Sequence, residues 1–212
     1  MNTSKEIAQL LLNNHSVGIS LDKPITFKSG ILSPIYVDNR SIIFHPEYWH
    51  QIIQGFVDLI AKNQLDYDVI AGVAVGAVPH SSALAYQVHK PSIFIRKEAK
   101  SHGKTQRIEG GDIQGKKVLL IEDLITTGGS SLSAIEEIRS AGGICKDCMA
   151  IVSYEMEVAQ QNFLAADVRL YTLTNFQTIL EIGQGSHFTP VEVRTALEWF
   201  DDPMNWKGNI SE

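Results

Sequence analysis

In residues 117–143, KVLLIEDLITTGGSSLSAIEEIRSAGG, a strand, a small-residue turn and a helix follow one another without a gap. The run Val118-Leu119-Leu120-Ile121 has the length and the apolar, partly β-branched content of a strand buried on both faces. It stops on two carboxylates, Glu122 and Asp123. Thr126-Thr127-Gly128-Gly129-Ser130 then makes a hydroxyl-rich turn, and Leu132, Ile135 and Ile138 form a helical stripe that closes at Gly142-Gly143. A strand tip, exposed amides and a helix N-terminus together make an anion site, because unpaired N–H groups and the positive end of the helix dipole favour phosphate. Carboxylates placed just before such a cradle repel phosphate, unless they hold sugar hydroxyls or a divalent cation at the far side of the same ligand. The combination suggests a phosphorylated sugar. On composition alone, the same residues also fit a strand end followed by an ordinary turn.

Working outward, strands are expected at Tyr67–Val73, Ser92–Arg96, Cys145–Ser153 and Arg169–Leu173. Helices are expected over residues 3–13, from Pro46 with an apolar stripe of Ile52, Ile53, Phe56, Val57 and Ile60, and from Pro79 through Leu84, Ala85 and Val88. Further helices are expected over Glu155–Ala165, over Thr174–Ile182, and from Thr189-Pro190-x-Glu192 with Val193, Ala196, Leu197 and Phe200 on one side. This alternation predicts an α/β fold, a mostly parallel five-stranded sheet flanked by helices on both faces. Ligands then gather beyond the strand C-termini, where Gly76, Lys97 and Asp123 fall. Trp199 and Trp206 read as packing residues.

Three other segments bear on chemistry. Gly72 to Pro79 is rich in small residues and offers a second anion-facing turn, without a GxGxxG fingerprint. Arg96 to Arg107 holds five Arg/Lys residues and one His with no apolar periodicity, which fits either a solvated loop or a mobile cationic flap over a polyanion. Gly110, Gly115 and Lys116 have P-loop spacing, but Lys117 stands where Ser or Thr is required and a strand follows where a helix is required, so that reading is rejected.

The 212 residues suit one domain with a soft boundary near residue 40, and the net charge of −6 argues against a nucleic-acid binder. Cys145 and Cys148 form a single CxxC beside an apolar strand, half of a zinc site and better read as buried thiols. Thr3 and Glu6 read as a capping box, not part of a signal peptide, and no window is long enough to cross a bilayer. The expected location is cytoplasmic.

The apolar run, the carboxylate pair and Thr-Thr-Gly-Gly-Ser resemble the phosphoribosyl-pyrophosphate (PRPP) signature of type I phosphoribosyltransferases. Four blocks together resemble the orotate-using branch of that family over nearly the whole chain: Phe27-Lys28-Ser29-Gly30-x-x-Ser33-Pro34-x-Tyr36-x-Asp38-x-Arg40; the turn 72–79; Arg96-Lys97-x-x-Lys100-x-His102-Gly103 with Ile108-Glu109-Gly110; and Glu122-Asp123 with Thr126–Ser130. The ending, with Tyr171-Thr172-Leu173-Thr174-Asn175-Phe176, is similar to versions in Gram-positive bacteria.

The resemblance implies an N-terminal hood (residues 1–40) on a core (41–212), with C-terminal residues able to join the hood. It implies magnesium-dependent transfer of ribose 5-phosphate from PRPP to N1 of orotate in UMP synthesis, with Mg2+ bound mainly through PRPP and no metal ligands of the protein's own. It implies a homodimer with shared active sites and neither nucleic acid nor membrane as partner. Lys100, His102, Glu122 and Asp123 become the catalytic candidates. PRPP is assigned to Lys28, Arg96, Lys97, Lys100, His102, Glu122, Asp123, Leu124, Ile125, Thr126, Thr127, Gly128, Gly129 and Ser130. Orotate is assigned to Phe27, Lys28, Ser29, Gly30, Arg40 and Thr127. The carboxylate pair is expected to act ionised. Two departures stand out: many relatives carry a lysine where Ala74-Val75-Gly76 stands, and an arginine where Val152-Ser153-Tyr154-Glu155-Met156 runs. A purine- or uracil-using transferase and a PRPP-binding transcriptional regulator are the alternatives.

Overall fold

The structure, a computed structural model, describes residues 3–27, 29–98 and 107–208. Helix α1 (Ser4–Asn13) leads into two short antiparallel ribbons. Strand β1 (Val17–Ile19) pairs with β4 (Ile35–Val37), and β2 (Ile25–Thr26) pairs with β3 (Leu32–Ser33). A 3-10 helix (Asn39–Phe44) and α2 (Pro46–Asn63) follow. Then come β5 (Val69–Val73), α3 (Val78–Gln87), β6 (Ser92–Ile95), β7 (Ile108–Glu109), β8 (Lys117–Ile125), α4 (Gly129–Ser140) and β9 (Ile144–Ser153). The chain closes with α5 (Glu157–Ala165), β10 (Arg169–Asn175), α6 (Phe176–Gly183) and α7 (Pro190–Asp201).

The main sheet has the order β10-β9-β8-β5-β6-β7. Its first five members are parallel, as the alternation of strands and helices requires, and β7 adds a sixth, antiparallel strand that the sequence reading does not contain. Two residues are too few to carry a periodic signal, so β7 is visible only through its pairing of Phe94 with Glu109 and Ile95 with Ile108. The strand order reverses between β5 and β8, and in open α/β sheets ligands bind at that crevice.

Strand alternation sorts the core into two layers. Leu119, Ile121, Met149 and Ile151 pack with Ile7, Phe56, Phe176 and Trp199 on one side. Val118, Leu120, Cys148 and Ala150 pack with Ile135, Ile138 and Phe163 of α4 and α5 on the other. Strand β8 does not stop at Ile121. It runs on through Glu122 and Asp123 to Ile125, because Leu124 and Ile125 resume the apolar content and still find partners in Val152 and Ser153 of the ten-residue β9. Both capping boxes form, Thr3 with Glu6 and Thr189 with Glu192. Cys145 and Cys148 are free and buried, and burial pushes the Cys145 thiol up to about 12. Among the described residues no helix is long and apolar enough to cross a membrane.

Candidate active site

Because β8 continues, its two carboxylates project from opposite faces of the sheet. Glu122 is buried against α4: its Oε2 accepts from Ser131 Oγ at 3.2 Å and its Oε1 accepts from the Asp123 N–H at 3.2 Å. Asp123 is half-exposed on the other face and lies against Gly76, where an added Cβ would overlap its carboxylate. The two carboxyls therefore sit in unlike surroundings. Burial, reinforced by the Asp123 charge, pushes the Glu122 carboxyl well above the usual carboxylate range.

The sign of that shift makes a prediction. Unfolded, Glu122 ionises near its ordinary value of about 4.3, whereas folded it stays protonated to higher pH. Its contribution to stability is full below the mid-4s and is lost as pH rises through the raised folded value. Glu122→Gln keeps the shape without the ionisation. It is expected to gain on wild type by about 1.4 kcal/mol for each pH unit crossed in that window. Urea unfolding between pH 5 and pH 8, taken as a rough range around that window, reads it; a pH-independent difference would show that Glu122 is charged when folded.

Past β8, the turn Thr126-Thr127-Gly128 delivers the chain to α4, which has no side-chain cap at its N-terminus. Its first amides and the Thr and Ser hydroxyls are thus available to an anion. Gly128 sits at φ +81° directly over the Phe163 ring, a conformation and a clearance that only glycine meets. From α5, Asn162 Nδ2 donates to the Thr127 carbonyl at 3.1 Å and pins the loop from below. Across the crevice runs Ala74-Val75-Gly76, whose Ala74–Val75 peptide is cis.

Asn39, which the sequence reading did not assign to the site, holds the Asp123 backbone, and a buried Trp49–His80 pair lies near that charge. Asn39 is buried, and its Nδ2 donates to the Asp123 backbone carbonyl at 2.7 Å, a contact across 84 positions of sequence. His80, at the start of α3, is also buried, and its Nδ1 accepts from Trp49 Nε1 at 3.1 Å. Burial lowers the His80 pKa to about 4 in spite of the nearby Asp123 charge, so the ring is neutral at working pH. No spacing rule links Asn39, or the Trp49–His80 pair, to residue 123.

The remaining candidates are spread around this crevice. Phe27 is half-buried, and its carbonyl accepts from the Gly30 N–H at 2.9 Å in a tight turn that presents Ser29 and Gly30 to solvent. Arg40 closes on Asp38 through two hydrogen bonds, Nε to Oδ1 at 2.7 Å and Nη2 to Oδ2 at 2.9 Å, so its guanidinium is engaged at the surface. That pairing holds the Asp38 carboxyl below the usual range. Arg96 lies 3.6 Å from Glu109, and Lys97 is exposed. Arg107 ties the base of the basic segment together: its Nε donates to the Arg96 carbonyl at 2.7 Å and its Nη1 to Ser133 Oγ at 2.9 Å. Lys28, Lys100 and His102 lie outside the described residues. Among the described residues no group of three or more His, Cys, Asp or Glu could hold a metal ion.

A doubly wound sheet whose switch point carries an acidic pair within a strand, an uncapped helix N-terminus and a small-residue turn opposite them fits the type I phosphoribosyltransferases that the sequence resembles. The phosphoribosyl transferase domain profile matches residues 47–160. Relatives narrow the class. An orotate phosphoribosyltransferase from Coxiella burnetii is 43% identical over 208 residues, 98% of this chain and 100% of that protein. Another, from Staphylococcus saprophyticus, is 37% identical over 94% of this chain and 98% of its own. Among solved structures, UMP synthase of Leishmania donovani superposes with a TM-score of 0.83 at 27% identity, over 94% of this chain and 42% of that one. The orotate phosphoribosyltransferase of Aeropyrum pernix superposes with a TM-score of 0.73 at 27% identity, over 82% and 96%. The chain belongs to the orotate phosphoribosyltransferase family.

Proposed function

We propose that the protein transfers ribose 5-phosphate from PRPP to N1 of orotate, giving orotidine 5′-monophosphate and pyrophosphate in pyrimidine synthesis. The observation that carries this reading is the placement of Asp123, a half-exposed carboxylate held between the turn at Gly76 and the uncapped start of α4. That spacing suits one ligand with a phosphate at one end and a diphosphate at the other. The Thr126–Ser130 loop takes the 5′-phosphate, Asp123 orients the ribose hydroxyls, and backbone amides of residues 74–76 meet the pyrophosphate.

As the bond from C1 to the pyrophosphate oxygen breaks, the leaving group keeps the electron pair and positive charge builds on the ribose. A nearby carboxylate stabilises that charge. N1 of orotate then bonds to C1 and gives up its proton, which leaves with the pyrophosphate. Glu122, buried and disposed to hold a proton, supports the Asp123 backbone instead of touching the sugar. A lone half-exposed carboxylate is too little for a protein-only metal site and fits a magnesium ion held mostly by PRPP oxygens. When bound, that ion neutralises charge on the departing pyrophosphate. Residues 1–40 act as a hood over the base, and Arg96, Lys97, Lys100 and His102 neutralise the diphosphate, with Lys100 contributed by the second subunit of a homodimer.

Orotate depletion by the purified protein, with PRPP, magnesium or both omitted in turn, tests the assignment. Depletion only in the complete mixture is expected. Products from uracil or guanine but not orotate would overturn it. The shared site has its own test, in which Lys100→Ala and Asp123→Ala subunits are mixed. About a quarter of wild-type activity should return, since half of randomly mixed dimers are heterodimers and each holds one intact site. Verified mixed dimers without recovery would place Lys100 and Asp123 in the same subunit's site.

A further inference from the structure

The hydroxyl of Tyr154 is buried and has no hydrogen-bond partner among the described residues. Such an orphan is costly and rare in native cores, and at a ligand-binding edge it points to a partner that arrives from outside. Tyr154 stands at that edge. It follows the last residue of β9, and its N–H donates to the Ile125 carbonyl at 3.0 Å, which places it beside the Thr126–Ser130 loop. Three aromatic rings enclose it: Phe27 with centroids 5.5 Å apart, Trp199 at 5.5 Å and Phe176 at 5.6 Å.

The three walls are not equivalent. Phe176 opens α6 and Trp199 lies within α7, both fully buried in the main core. Phe27 is half-buried and sits on a turn between two strands of two residues each, closed by Gly30 at φ +88°. A ring seated so lightly can be displaced by another flat ring at far smaller cost than either of its neighbours.

We propose that Tyr154 is a substrate-binding residue: a pyrimidine that takes the place of the Phe27 ring receives a hydrogen bond from the Tyr154 hydroxyl to one of its ring carbonyl oxygens. The inference rests on orotate being the base. Burial raises the phenol's pKa, so the group is a donor at all working pH. A cage of aromatic faces suits a stacked ring and a neutral carbonyl, whereas it would penalise an unpaired carboxylate. The proposal also gives a use to the segment Val152–Met156, which contains no cationic side chain.

Tyr154→Phe removes the hydroxyl and nothing else. The expected result is a rise in the orotate KM of about tenfold, the size of one lost hydrogen bond, with the PRPP KM unchanged. The unliganded variant should melt at a higher temperature than wild type, because the orphan is gone, and should lose part of the upward shift that orotate produces. An unchanged orotate KM with a raised melting temperature would overturn the proposal and leave Tyr154 as a core residue. So would equal rises in KM for both substrates, which mean a general distortion. Failure of the orotate reading itself is distinguishable, because wild type would then not consume orotate at all.

Discussion

Gly76→Ala is expected to lower kcat/KM for PRPP on the order of 100-fold while the protein stays folded, because a displacement of about 1 Å in a catalytic group can cost that much. Gly76 does not occupy the left-handed region, so its backbone accepts alanine. The methyl group would instead overlap the carboxylate of Asp123, the movable end of a short side chain, which must swing away from the ribose side of the crevice. The damage thus falls on one functional group and not on the core. Gly111→Ala serves as the control, since a Cβ there meets nothing within 4 Å. Steady-state kinetics at varied PRPP, with melting curves of both variants, decide the matter. Near-normal turnover in a folded Gly76→Ala protein would remove Asp123 from the role assigned to it.

The second large effect is on stability. Trp199→Ala should cost about 3–5 kcal/mol, the usual range for deleting a large buried aromatic. The indole is fully buried, donates from Nε1 to the Leu32 carbonyl at 2.8 Å, and packs edge-on against Tyr154, Phe27 and Phe200. It therefore fastens α7 to the N-terminal ribbon that carries the proposed base-binding turn. It also walls a groove of about 510 Å3 between the start of α5 and the end of α7, through which water can reach part of the gap and soften the loss. Trp199→Phe keeps most of the packing and leaves the Leu32 carbonyl unpaired, so roughly 1–2 kcal/mol is expected there. Urea unfolding with an unchanged slope would assign both differences to the folded state. A loss below about 1 kcal/mol for the alanine variant would show that α7 is not fastened through this residue.

What could be read directly from the residues were the local matters. The runs at 67–73, 92–96 and 118–121 announced strands, each within a residue or two of its observed bounds except where β8 runs on; Thr3 with Glu6 and Thr189 with Glu192 announced helix starts; and Thr126–Ser130 announced the turn that leads into α4. Each rests on neighbours a few positions apart, so backbone preference and hydrophobic period suffice to set it. Side-chain partners and the final register belong to the tertiary structure. That β8 passes through its carboxylates depended on β9 being long enough to pair with it, and that continuation sends Glu122 into the core and leaves Asp123 at the crevice. The hold of Asn39 on Asp123, the tie between Trp49 and His80, the closing of Arg40 on Asp38 and the enclosure of Tyr154 all came from packing. Burial and charge proximity are properties of the assembled layers. Two adjacent acids in one strand therefore sit in surroundings that no reading of their order along the chain would separate, and burial raises the Glu122 carboxyl.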